Sequence, residues 1–144
     1  MESSNDVAYK LMQAFMQLNR QRLHATPIAE MRHSELVVLR NISRLDNGQG
    51  VMVSELSALL KVSAPSITQT VNSLVKKELV RRCADSADRR AVRLFLTDSG
   101  VEKLEAAFLE FKSQFQGLVN HMGKSRSQEL IALLEEAYEY FESN

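Results

Sequence analysis

The chain has 144 residues, 44% hydrophobic and 25% charged, and its 18 Lys and Arg balance 18 Asp and Glu to a formal net charge of zero. That length suits about one domain with a core of its own, and no run approaches the ~20 apolar residues of a membrane span. A single cysteine, Cys83, excludes an internal disulfide, and the polar opening Met1-Glu2-Ser3-Ser4-Asn5-Asp6 has no signal-peptide pattern, so a cytoplasmic protein with no membrane partner is expected.

Two prolines and five glycines are few breaks for such a chain, which predicts a mostly helical fold. Val7, Ala8, Leu11, Met12, Phe15 and Leu18 recur at helical spacing, predicting a first helix from about Asn5 to His24 that stops near Thr26-Pro27. A second helix, about Ser34 to Leu45, carries Leu36, Val37, Val38, Leu39 and Ile42 and ends in the breaker Asp46-Asn47-Gly48-Gln49-Gly50. Ser54 to Leu60 reads as a short third helix with Leu56, Leu59 and Leu60 inward. Ser63 is a natural N-cap for a fourth helix, about Ala64 to Lys77, and Pro65 falls in the first turn, where a helix tolerates it. Short helix, tight turn and capped helix make a helix-turn-helix.

Helical spacing on the fourth helix puts Ile67, Val71, Leu74 and Val75 on one face and Pro65, Ser66, Gln69, Asn72, Ser73 and Lys76 opposite. The outward face is polar but nearly uncharged, and short donors and acceptors suit base edges and phosphates. Ser63, Pro65, Ser66, Thr68, Gln69, Asn72 and Lys76 are therefore candidate DNA contacts, on a helix of the kind that lies in a major groove. Val80 to Ala84 can pair back on a strand whose Val92, Leu94 and Leu96 alternate with Arg93 and Phe95. The hairpin between them, Asp85-Ser86-Ala87-Asp88-Arg89-Arg90, holds two adjacent arginines out where they gain from phosphate, so Asp88, Arg89 and Arg90 join the candidates.

Thr97 caps a fifth helix, with Asp98 in its first turn, and the stripe Val101, Leu104, Phe108, Phe111, Phe115, Leu118 and Val119 carries it to about Met122, with Gly123 as a stop. Leu130, Ile131, Leu133, Leu134, Ala137, Tyr138 and Phe141 mark a last helix, about Ser127 to Phe141. The expected organisation is an N-terminal dimerisation helix and linker (1–32), a DNA-binding lobe (33–100) and C-terminal dimerisation helices (101–144), in one continuous domain. The lobe can bury its own core, so the apolar surplus on the terminal helices is most simply used against a second copy. Leu11, Phe15, Leu118, Leu130, Leu134 and Phe141 are the residues assigned to that pairing.

The charge is unevenly spread. Residues 1 to 60 carry 6 basic and 6 acidic side chains, residues 61 to 96 carry 8 and 3, and residues 97 to 144 carry 4 and 9. A basic middle third beside neutral and acidic thirds is the footprint of a polyanion-binding segment.

These elements, and especially Asp85-x-x-Asp88-Arg89-Arg90 followed by Leu96-Thr97-x-x-Gly100, resemble the MarR family of bacterial transcriptional regulators over essentially the whole chain. The resemblance implies a homodimeric winged helix-turn-helix protein on a palindromic operator, commonly a repressor released by a small phenolic or lipophilic ligand, an oxidant or a metal. It also implies that Arg90 enters the minor groove, that Asp88 braces it and that the fourth helix reads the major groove. Glu78 departs from the pattern, because the family usually has a glycine where the recognition helix turns into the wing.

The fold class expected is thus mostly α with a small antiparallel β-wing, and the function a sequence-specific DNA-binding regulator. A nucleophile with its base, paired carboxylates, a phosphate-binding glycine loop and a metal site are all lacking, which argues against an enzyme, and no cofactor is expected. His24, His33 and His121 form no pair at metal-ligand spacing, so no metal site is expected. Met12, Met16, Met31 and Met122 offer adaptable apolar lining, but methionines at helical spacing usually fill a core, and no effector-binding residue is assigned. Two alternatives stand beside the main reading: a redox-responsive regulator sensing through Cys83, which follows Arg81 and Arg82, and a winged-helix protein-interaction module.

Overall fold

The computed structural model of the chain describes residues 3–23 and 27–144. Its elements run α1 (Ser4–Leu23), α2 (His33–Leu45), α3 (Val53–Leu60), α4 (Ala64–Lys76), β1 (Val80–Ala84), β2 (Val92–Leu96), α5 (Asp98–Met122) and α6 (Lys124–Glu142). The expected end of the first helix at His24, and its stop at Thr26, lie outside the described residues. Two compact units divide the chain, residues 1–104 and 105–144, with α5 continuous through the boundary.

The core of the first unit is built by the apolar stripes of α2, α3 and α4 closing on the base of the hairpin. Leu39, Ile42, Val51, Leu56, Val71, Leu74 and Leu94 are completely buried, with Met31, Val38, Ile67 and Val80 almost so. Burial of this kind contributes roughly 1.5–3 kcal/mol per large aliphatic side chain, so the helix-turn-helix has a stable base. Leu59, expected inward, is half exposed because α3 is only two turns long and Leu56 alone occupies its buried line. β1 and β2 pair antiparallel in the register Val80↔Leu96, Arg82↔Leu94 and Ala84↔Val92. Val51 adds one bridge to Leu94, exchanging backbone bonds of 2.9 and 2.8 Å, a short third edge that follows the Asp46–Gly50 breaker.

Local chemistry sets the boundaries. Ser3 and Asp6 cap α1 reciprocally: the Ser3 hydroxyl and N–H donate to the carboxylate at 2.7 and 3.1 Å, and the Asp6 N–H donates back to Ser3 Oγ at 3.2 Å. Those bonds from Ser3 hold the Asp6 carboxyl below its ordinary value. Gly123, at φ 87°, ends α5 as expected, but α6 begins at Lys124, about one turn before Ser127. Ser127 Oγ instead donates back to the Gly123 carbonyl at 2.7 Å inside that first turn.

The fourth helix leaves through a Schellman turn: the Leu79 N–H donates to the Leu74 carbonyl at 3.0 Å and the Glu78 N–H to Val75 at 2.9 Å. This motif requires a left-handed residue at its apex, and Glu78 supplies it at φ 61°. The departure from glycine leaves the turn intact. Thr97 then caps α5, donating through Oγ1 to the Glu78 carbonyl at 2.6 Å and accepting the Gly100 N–H at 3.0 Å. Gly100 lies so close to the strand that a β-carbon there would sit 2.1 Å from the Leu79 carbonyl oxygen. The Thr97-x-x-Gly100 motif is therefore a packing device that fixes α5 on the exit of α4.

Candidate nucleic-acid interface

Ser63 accepts the Ser66 N–H at 3.3 Å and so seats the first turn of α4. From there Ser63, Pro65, Ser66, Thr68, Gln69, Asn72 and Lys76 are all exposed, while Ile67, Val71 and Leu74 hold the opposite face in the core. Ser73 does not share that outer face. It is half-buried, and its hydroxyl donates to Glu35 Oε1 at 2.8 Å.

Glu35 is the feature that pattern reading missed. It is 2% exposed, and besides Ser73 it receives Lys77 Nζ at 2.7 Å and the Arg32 N–H at 3.3 Å. Burial pushes its carboxyl upward, but the Lys77 ammonium, the Ser73 hydroxyl and the Arg32 amide outweigh that and hold it below 4.5. The pair clamps the start of α2 to the last turn of α4. A signal was available in the sequence: Glu35 shares its helical line with Leu39 and Ile42, a carboxylate inside an apolar stripe.

The wing places its cations unequally. Arg93 lies 4.0 Å from Asp85, near the ion-pair limit, and Arg81 lies 4.4 Å over the Phe95 ring with Nη1 donating to Cys83 Sγ at 2.6 Å. Arg82 Nη2 donates to Asn72 Oδ1, joining wing and recognition helix. Asp88, Arg89 and Arg90 sit exposed in the turn between the strands. Asp88 Oδ1 accepts the Arg90 N–H at 2.9 Å, and its carbonyl accepts the Ala91 N–H at 3.0 Å. Asp88 thus braces the backbone of Arg90 and leaves the guanidinium unengaged. Of the eight basic residues between 61 and 96, Lys61, Lys76, Arg89 and Arg90 have no side-chain partner among the described residues, so these are the cations that this segment leaves for a ligand.

The residues assigned to pairing are placed as follows. Leu11 and Phe15 on α1, Leu118 on α5, and Leu134 and Phe141 on α6 are exposed, and Leu130 is half-buried. Among the described residues no three His, Cys, Asp or Glu side chains gather as a metal site, and His24 lies outside those residues. No described helix is long and apolar enough to cross a membrane.

A capped recognition helix, the short helix before it and a two-stranded cationic hairpin after it define the class: a winged helix-turn-helix protein. Comparison with known proteins narrows this. The MarR family pattern matches residues 31–91. YpoP of Bacillus subtilis, an uncharacterised HTH-type transcriptional regulator, is 32% identical over 76% of this chain and 74% of its own length. Other curated B. subtilis relatives are matched over 46–63% of their length. Two solved Staphylococcus aureus structures share the fold. MarR in complex with salicylate and kanamycin aligns with TM-score 0.77 at 20% identity, covering 96% of this chain and 94% of that one. A MepR variant bound to an oligodeoxyribonucleotide aligns with TM-score 0.61 at 19% identity, covering 97% and 99%. The chain belongs to the MarR family of transcriptional regulators.

Proposed function

We propose that the chain binds a palindromic double-stranded DNA operator as a homodimer, as a repressor released by a small phenolic or lipophilic effector. The carrying observation is the outer face of α4, whose polar side chains are all exposed next to a wing tip with two unpaired arginines. In this reading Ser63, Pro65, Ser66 and Thr68 approach the backbone and base edges, Gln69 and Asn72 read bases, and Lys76 and Arg89 meet phosphate. Arg90 enters a minor groove, held by Asp88. Leu11, Phe15, Leu118, Leu130, Leu134 and Phe141 pair with a second copy, which supplies the second recognition helix for the second half-site. The MepR complex with an oligodeoxyribonucleotide and the MarR complex with salicylate support a DNA partner and a phenolic effector. The protein works in the cytoplasm, by binding and without a cofactor or a reaction of its own.

Selection of bound fragments from random DNA tests this reading, followed by a salt titration on the enriched site. A palindromic site is expected. With Lys61, Lys76, Arg89 and Arg90 of each protomer engaged on two half-sites, the logarithmic salt slope should approach about −7. Failure to enrich any fragment, with binding indifferent to salt, would instead indicate a protein-interaction module. Release from the enriched site is then screened with small phenols, salicylate first.

A further inference from the structure

Asn72 and Gln69 stand one turn apart on the exposed face of α4, and both carry amides that are at once donor and acceptor. They are not equivalent. Arg82, exposed on β1, reaches across the wing to the oxygen of the Asn72 amide. The sense of that amide is settled by chemistry, because a guanidinium has five donors and no acceptor, so the atom it faces is the oxygen. With its oxygen occupied, Asn72 has only its N–H2 donors to offer a ligand. Gln69 has no side-chain partner among the described residues and can offer both groups.

The strand register explains why Arg82 is the residue that does this. Arg82 is paired with Leu94 and has the same parity as Val80, so its side chain leaves β1 on the face that carries the buried Val80, and β1 is the strand that packs on α4. Arg81, of opposite parity, stacks on Phe95 instead. A charge-assisted bond is about twice as strong as a neutral one, enough to hold an exposed amide in one sense while a base edge approaches.

We infer that Arg82 is a specificity-determining positioning residue: by holding the Asn72 amide oxygen, it makes Asn72 a donor-only reader of acceptor edges in the major groove. The bases that present acceptors without a donor are guanine, with N7 and O6, and thymine, with O4, whereas adenine sets a donor beside its N7. Adenine, whose recognition by an amide uses a donor and an acceptor together, is left to Gln69. The inference rests on α4 being the reading helix of the proposed function.

The test compares base preferences, not affinity alone. The full-length protein, Asn72→Ala and Arg82→Met are each carried through the same selection from random DNA, after thermal melting shows that both variants fold. Asn72→Ala identifies the position this residue reads, as the one where preference is lost. The wild type should prefer guanine or thymine there by about five- to tenfold, the worth of one hydrogen bond. Arg82→Met frees the amide to rotate, so at that position alone the preference should move toward adenine.

Adenine preferred by the wild type at that position would overturn the inference, as would an Asn72→Ala profile identical to wild type. So would an Arg82→Met protein that keeps every base preference and only loses affinity with a salt slope flatter by about one, since Arg82 would then be a phosphate contact. A wild type that enriches no site at all refutes the DNA-reading function itself, and this inference with it.

Discussion

At the residue scale, the most informative positions are those whose side chain, or lack of one, the backbone dictates. Glu78 occupies the left-handed apex of the turn out of α4, at φ 61°, a conformation that costs a residue with a β-carbon about 1 kcal/mol. Glu78→Gly should therefore raise stability by about 1 kcal/mol in urea unfolding, against the usual loss for a glycine. Gly100 predicts the reverse. Alanine generally gains about 1 kcal/mol over glycine inside a helix, but here the new carbon would stand 2.1 Å from the Leu79 carbonyl, which is backbone and cannot swing aside. Gly100→Ala should cost about 2 kcal/mol or more, read from the same unfolding curves.

Glu35 gives a pH dependence. Its folded carboxyl is held below the ordinary 4.5 by Lys77, Ser73 and the Arg32 amide, against burial. A group lowered in the folded state contributes stability that is fully present above its unfolded value and is lost as pH falls through the folded one. Glu35→Gln should thus cost about 2 kcal/mol near neutral pH, as a charged hydrogen-bond acceptor is lost next to Lys77. The difference from wild type should shrink as pH drops below 4.5, in chemical melts at a series of pH values. A constant difference down to strongly acid conditions would mean that the carboxylate charge is not what matters.

At the element scale, the proposed function has helix and wing meet DNA through different physics, so they should fail differently. α4 presents amides at fixed helical positions, whereas the wing presents a guanidinium at the tip of a turn that Asp88 and two backbone bonds stiffen. Arg90→Ala should weaken binding to many sequences together and flatten the salt slope by about one. Gln69→Ala should cost about 1–3 kcal/mol on the selected operator and much less on a variant with the contacted base pair changed. Fluorescence anisotropy on operator, mutated operator and unrelated DNA separates these outcomes. Equal loss on all three from both substitutions would remove α4 from base readout.

At the scale of the whole molecule, the balance of exposed apolar surface decides the assembly. On α1, Val7, Tyr9, Leu11, Met12, Phe15, Met16 and Leu18 are all exposed, and α6 buries no residue at all. Each helix by itself thus leaves a line of apolar side chains open to solvent, which a monomer seldom does. Light scattering of the full chain should give about twice 16.3 kDa at micromolar concentration, and Leu134→Glu with Phe141→Glu should shift it toward the monomer, because charge on an apolar interface has no partner. A wild type that is monomeric there would sink the two-half-site arrangement.

The sequence alone determined the order and kind of the elements, because helical and strand periods, caps and breakers are local properties of the chain. Ser63 as the cap of α4, Thr97 as the cap of α5, Gly123 as the stop and the alternation of β2 were all legible for that reason. So was the outer face of α4, with Ser73 its one exception. What the sequence did not disclose depends on which elements meet. Ser73 turns inward because Glu35, 38 residues away, needs a donor; Lys77 is spent on the same carboxylate; and Gly100 is required because Leu79 passes beside it. The eight basic residues of the middle third look alike in composition, yet four are engaged by Glu35, Asp85, Phe95 or Asn72 and four stand free. Periodicity assigns a side chain to a face, but only the tertiary structure decides what that face touches, since a long-range contact has no period along the chain.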